Sequence, residues 1–96
     1  MSEHAANPVM DEIRSRLNAT FSPDICLLED ESAAHAGHAG AASGGGHYRL
    51  KLVSALFEGQ NRVARHRLVY HSLLDMMHTN IHALAINALA PSEVEK

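Results

Sequence analysis

Apolar side chains recur three to four residues apart at the start of the chain and switch to strict alternation near its middle, which predicts a helix followed by strands. Val9, Ile13 and Leu17 share one helical face, widened by Met10, and the spacing predicts a helix over residues 7–18. Asn7 suits the N-cap, and Pro8 suits the first helical position, where its missing N–H has no intrahelical acceptor to lose. Asp11 and Glu12 lie near the positive end of the helix dipole, with Arg14 and Arg16 further along. After the break at Ser22-Pro23, the unbroken apolar run Ile25-Cys26-Leu27-Leu28 predicts a strand buried on both faces, closed by Glu29-Asp30-Glu31. From His47, Tyr48, Leu50 and Leu52 alternate with Arg49 and Lys51, as in a half-buried strand.

Between these strands runs a loop over residues 32–46 that holds five of the six glycines and a short repeat, His35-Ala36-Gly37 followed by His38-Ala39-Gly40. Gly59 and Asn61 open a second helix with an expected apolar stripe of Val63, Tyr70, Leu73, Leu74 and Met77, and Thr79-Asn80 stops it. Leu84, Ile86 and Ala88 then alternate with Ala83, Ala85 and Asn87 as a third strand, and Pro91-Ser92-Glu93 opens a last helical turn. The expected fold is α+β, a single domain over residues 7–96 behind a flexible segment 1–6. Its order is α-β-β-α-β with a short C-terminal helical turn, and helices pack a three-stranded mixed sheet. A β-α-β unit with short connections favours a parallel pair and a right-handed crossover. Parallel strands begin at the same sheet edge, so His82, which heads the row of Leu84 and Ile86, is expected near the start of the second strand, where the histidine loop ends.

Composition narrows the function. Ninety-six residues, 46% hydrophobic, suffice for one modest core. The single Cys26 cannot form an intrachain disulfide, and the first twenty residues lack the regions of a secretory signal, so a reducing compartment, the cytosol, is expected. No apolar run approaches the roughly 20 residues that cross a bilayer, so no membrane association is expected. The formal charge of -3 runs against the basic excess usual in nucleic-acid binders. Eight histidines are many for this length, and with free imidazole titrating near pH ~6.5, mild acidification moves the net charge toward and through zero.

His82 together with a loop histidine, His35 or His38, makes a two-imidazole site with too few ligands to close a metal centre. Cys26, inside an apolar strand, is expected to pack rather than ligate. An iron-sulfur cluster takes four ligands, usually thiolates, although two histidines replace two cysteines on one iron in Rieske centres. This chain supplies half a shell, and a partner must supply the remainder. A hydrolytic zinc enzyme would instead carry three ligands and a general base. At 100° per residue, Arg65 and Arg67 fall about 160° apart on the second helix, with His66 inside the apolar stripe, where a packed and hydrogen-bonded ring is expected. Arg62 shares a flank with Arg65, and Arg67 shares the other with His71 and His78. Ser43, Ser54 and Ser72 lack a nucleophile elbow and no glycine-rich segment matches a phosphate loop, so no catalytic activity is expected.

Several strings between Ile13 and Glu93 resemble the BolA family: Asp30-Glu31-Ser32 followed by His35, His47-Tyr48, Phe57-Glu58-Gly59, Arg65-His66-Arg67-Leu68-Val69-Tyr70, and His82-Ala83-Leu84-Ala85-Ile86. The resemblance implies an α+β fold similar to the second class of KH domains. It also implies pairing with a monothiol glutaredoxin around a shared, glutathione-ligated 2Fe-2S cluster. The last strand and the long loop each contribute a ligand, here His82 and His35, with His38 an additional imidazole. Alternatively, it implies a DNA-binding regulator of morphology and stress response that uses the KH-like surface, with Arg62, Arg65 and Arg67 as the contacts. Phe57-Glu58-Gly59-Gln60 keeps only one glycine of the Gly-x-x-Gly of standard KH domains. Four aromatic rings and no Trp offer little for base stacking. The free protein is expected to be a monomer or a weak homodimer.

Overall fold

The structure, a computed structural model, describes residues 7–31 and 46–94. The expected flexible segment 1–6 and nearly all of the 32–46 loop, including His35 and His38, lie outside the described residues. Within them the order is α1 (Pro8–Phe21), β1 (Ile25–Asp30), β2 (Gly46–Val53), α2 (Arg62–Ser72), β3 (Ile81–Leu89) and a final turn α3 (Pro91–Val94). Short 3-10 turns stand at Ala55–Phe57 and Leu74–Met76. The sheet order is β1-β2-β3, with β1 antiparallel to β2 and β3 parallel to it, as the β-α-β spacing predicts. No described helix is long and apolar enough to cross a membrane.

Asn7 caps α1, its side chain accepting the Met10 N–H at 3.1 Å, with Pro8 in the first turn. The helix outruns the expected end at Asn18 by nearly a turn, which brings Phe21 into the core. It stops at Ser22, left-handed at φ 42°, whose N–H donates to the Asn18 carbonyl. Asn61 caps α2 in the same manner, accepting the Ala64 N–H at 2.8 Å. Both helices bury their apolar residues on one sheet face. Across that face the register aligns Asp30, Tyr48 and Leu84, then Leu28, Leu50 and Ile86, then Cys26, Leu52 and Ala88. The opposite face is open, so β1 is not buried on both sides as its composition suggests: Leu28 is buried while Leu27 is 55% exposed. Burying apolar surface at roughly 25 cal/mol per Å² dominates the stability of such a single-layer sheet.

The face of α2 also departs from expectation. Val69, Leu73 and Met76 are buried, whereas Val63 is 58% and Leu74 64% exposed. At 100° per residue Val63 points about 120° away from Val69, and the regular helix ends at Ser72, before Leu74. The inward line continues back from Val69 to Arg65, four residues earlier, and this position governs the fate of that arginine. At the far end of the sheet the fully buried Ser54 ties the elements together. Its hydroxyl donates to the Phe21 carbonyl at 2.8 Å and accepts the Leu56 N–H at 3.2 Å. On the α1 side, Arg16 pairs with both Glu12 and Asp75, fastening α1 to the turn that follows α2.

Candidate functional site

β2 and β3 start at the same edge of the sheet, and there the pairing is irregular. Gly46 stands opposite Ile81, but His47 stands opposite Ala83 and Tyr48 opposite Leu84. One residue of β2 therefore spans an interval that takes two residues of β3. An extra residue of this kind is a bulge, and it re-aims the side chains beside it. Ile81 and Leu84, three apart, are both buried, while His82 and Ala83 between them are exposed. His82 thus does not lie in the row of Leu84 and Ile86, as strict alternation places it. The bulge moves it off the core face.

The residue it meets is His47. The two rings lie 4.9 Å apart between centroids, tilted by 44°. His47 is half-buried and its Nε2 is enclosed. The start of β2 is held from both sides, since the Gly46 N–H donates to the Asn80 carbonyl at 3.2 Å and the Glu31 N–H donates to the His47 carbonyl at 2.7 Å. The approach of His82 to the start of β2 is as the parallel topology predicts. The imidazole found there is one that sequence reasoning did not single out, although the same reasoning names it: His47 is the side chain at the start of the second strand.

Two imidazoles are half of a tetrahedral shell. Among the described residues no group of three or more His, Cys, Asp or Glu could hold a metal ion. Cys26 does not complete the set, because it lies in register with Leu52 and Ala88, six residues up β3 from His82 or about 20 Å along an extended strand. Burial pushes its thiol up, away from the thiolate form that binds metals. The donor set fits a group whose remaining ligands come from elsewhere. His66 is half-buried, its ring edge-on to Tyr70 at 6.4 Å between centroids.

A second polar region lies where the first turn of α2 meets β3 and α3. It borders an open cleft of about 690 Å³ lined by Arg49, Arg62, Arg65, His66, Asn87 and Glu93, among others. Arg65 is turned inward, its side chain 12% exposed. Its guanidinium donates to the Gln60 carbonyl at 2.8 Å, to the Ala88 carbonyl at 3.0 Å and to both Glu93 carboxylate oxygens at 2.7 and 3.1 Å, and it lies 6.0 Å from the Phe57 ring centroid. Glu93 also accepts the Ala90 N–H at 2.8 Å, while Glu58 accepts the Ser92 hydroxyl at 3.0 Å. Arg65 is therefore a clasp on the C-terminal turn and not a presented cation. Arg49 is paired with Glu31 at 2.8 Å, and Arg62 and Arg67 are exposed.

The Arg65 guanidinium and the Ala90 N–H hold the Glu93 carboxyl down at about 2, from an ordinary 4.5. A depressed carboxyl contributes stability that is present above its unfolded pKa and is lost as pH falls through the folded value. The melting temperature is accordingly expected to fall between about pH 4.5 and pH 2, and the Glu93→Gln protein to lose part of that dependence while melting lower at pH 7. Thermal unfolding followed by circular dichroism across this range checks it. A drop of the same size in both proteins would assign the acid sensitivity to other pairs, such as Asp75 with Arg16, whose carboxyl is also lowered.

The sequence profile of the family described as BolA, BolA-like protein, matches residues 17–93. BolA-like protein 1 of Mus musculus is 40% identical over 89 residues, which cover 93% of this chain and 63% of that one. The chloroplastic protein BOLA1 of Arabidopsis thaliana is 44% identical over 84 residues, 84% of this chain and 52% of that one, so the chain spans less than two thirds of these relatives. The DNA-binding transcriptional regulator BolA of Escherichia coli is 34% identical over 87 residues, 91% of this chain and 80% of that one. Among solved structures, the BolA domain of SufE1 from Arabidopsis thaliana superposes with a TM-score of 0.82 at 38% identity, covering 94% of this chain and all of that domain.

Proposed function

Because the chain belongs to the BolA-like family, we propose that it is a non-catalytic accessory protein that binds a monothiol glutaredoxin and lends two histidines to a glutathione-bearing 2Fe-2S cluster shared between the two. His82 is the fixed ligand. His35 is the loop ligand, with His38 as its near neighbour and His47 as the ring already in place beside His82. The observation that carries this reading is the bulge, which takes His82 out of the core row and leaves it exposed at the strand start, 4.9 Å from a second imidazole. Two imidazoles and no third ligand among the described residues suit a site that a partner must complete. When bound, the cluster supplies one-electron chemistry or is passed on, and imidazole in place of thiolate raises its potential. The side chains of this protein bind and orient. This reading sets the protein in the cytosol, where such a partner and glutathione are reduced.

The experiment is an anaerobic mixture of this protein with a monothiol glutaredoxin, glutathione, ferric iron and sulfide, followed by visible absorption and circular dichroism. A spectrum distinct from that of the glutaredoxin alone, saturating at one protein per glutaredoxin, is expected. If adding the protein leaves the glutaredoxin spectrum as it was, the reading fails.

The name of the Escherichia coli relative favours a DNA-binding alternative. Here, however, Arg65 is engaged inside the fold, and Arg62 and Arg67 lie about 140° apart on α2. With a formal charge of -3, two divided arginines make a weak phosphate clamp.

A further inference from the structure

The bulge that exposes His82 faces an unusual contact at the start of β2. Gly46 and Tyr48 lie two residues apart and so on the same face of the strand. A Cβ added to Gly46 would collide with the Tyr48 hydroxyl oxygen and lie 2.5 Å from ring atoms Cε2 and Cζ. The Tyr48 ring is therefore folded back over the bare backbone of Gly46 and fills the volume a side chain there would need. It is not a loose end: Tyr48 is buried, and burial, with Asp30 nearby, pushes its phenol up.

The cross-strand partners of these two residues are the anchors of the bulge. Gly46 stands opposite Ile81 and Tyr48 opposite Leu84, and all but the glycine belong to one core cluster. In a regular strand, residues facing one side are two apart, whereas Ile81 and Leu84 are three apart, so His82 and Ala83 are both expelled from the core face. If β3 regained strict alternation with Leu84 in place, Ile81 would turn outward and His82 would turn into the core, because a one-residue slip moves each side chain to the other face. We infer that Tyr48, seated on Gly46, is the positioning residue that pins this bulge and thereby keeps His82 at the surface beside His47. Gly46 is required because only a residue without Cβ admits the ring. The inference deepens the proposed role of His82, but it concerns the free protein and is measured without a cluster.

The test uses the labelled free protein. Nuclear Overhauser contacts between the imidazole protons of His47 and His82 report the geometry, and imidazole nitrogen shifts during a zinc titration report its consequence. Gly46→Ala and Tyr48→Ala are expected to lose the inter-ring contacts and weaken zinc binding about 10-fold, the usual scale for losing an orienting partner of a metal ligand. The α1 amide shifts should stay in place. Tyr48→Phe keeps the ring and is expected to retain both signals. In the Tyr48→Ala background, Gly46→Ala should add little, since residues in contact are not additive. Unchanged ring contacts and zinc affinity in Gly46→Ala and Tyr48→Ala would overturn the inference. Should Gly46→Ala not fold, Tyr48→Leu decides by the same contacts. A native protein that shows the contacts yet gives no spectral change with glutaredoxin would sink the functional reading and leave this one standing.

Discussion

Replacing His82 with alanine is expected to leave the fold intact and to abolish the spectral change that the native protein produces on a glutathione-loaded glutaredoxin. The two halves of this outcome have separate causes. His82 is exposed in a bulge between the buried Ile81 and Leu84, so the core keeps its anchors, and the stability cost should stay within about 0.5 kcal/mol, as for other surface positions. Its ring, by contrast, is the imidazole that the proposed site uses in each pairing, with His35, His38 or His47, and it is the exposed member of the pair seen at the strand start. Removing it takes the exposed ring out of the proposed site, which a partner supplying the other half of the shell does not replace. The loop-side variants His35→Ala, His38→Ala and His47→Ala should each be milder, and the most damaging of them identifies the second ligand. Equal, complete loss in His82→Ala and in an unrelated surface variant would mean that the spectrum reads folding and not ligation.

The second large effect is on stability. Arg65→Ala is expected to destabilise the fold by about 2 to 3 kcal/mol, enough to lower the melting temperature of a domain this size by roughly 10 °C or more. The guanidinium makes hydrogen bonds to two backbone carbonyls, Gln60 and Ala88, and a two-oxygen pair with Glu93, and it covers the Phe57 ring. Alanine leaves the Ala88 carbonyl in a part-buried position without that donor, and frees the turn Pro91–Val94 from α2. A lysine places one point charge where a planar fork makes several directed bonds, so Arg65→Lys should recover only part of the loss. Urea unfolding of the three proteins checks this. A loss below about 0.5 kcal/mol, the ordinary surface value, would return Arg65 to the solvated helix face on which its charge alone would place it.

Much of the fold is legible in the residue pattern. The Asn7 and Asn61 caps, the alternation of Tyr48, Leu50 and Leu52, and the parallel return of β3 all appear where period and turn chemistry put them. The failures have a common physical origin, in that each depends on what lies opposite a residue. The run at Ile25–Leu28 carries apolar residues on both faces, but only one face of this sheet is covered, and composition does not say how many layers a sheet has. On α2, the helical wheel set Arg65 on a flank with Arg62, and the resemblance put it among the DNA contacts, although backbone carbonyls and Glu93 on other elements satisfy it in the inward line with Val69 and Leu73. The bulge is the most consequential case. An alternating pattern fixes side-chain parity only while both strands advance together, and one extra residue in β3 moves His82 to the other side without leaving a mark in the local sequence. The same parity blindness hid His47, although the topology already led to its position.

Two histidines of this chain are expected to become ligands when the partner is present, and magnetic resonance of the bound site reads this directly. The protein is prepared with 15N-labelled histidine, combined with unlabelled glutaredoxin, glutathione, iron and sulfide, and reduced for pulsed electron paramagnetic resonance. Two strongly coupled 15N nuclei are expected, falling to one in His82→Ala if a residual site survives. A reduced cluster that shows no histidine 15N coupling from this protein would rule out ligation by its histidines, whatever its visible spectrum.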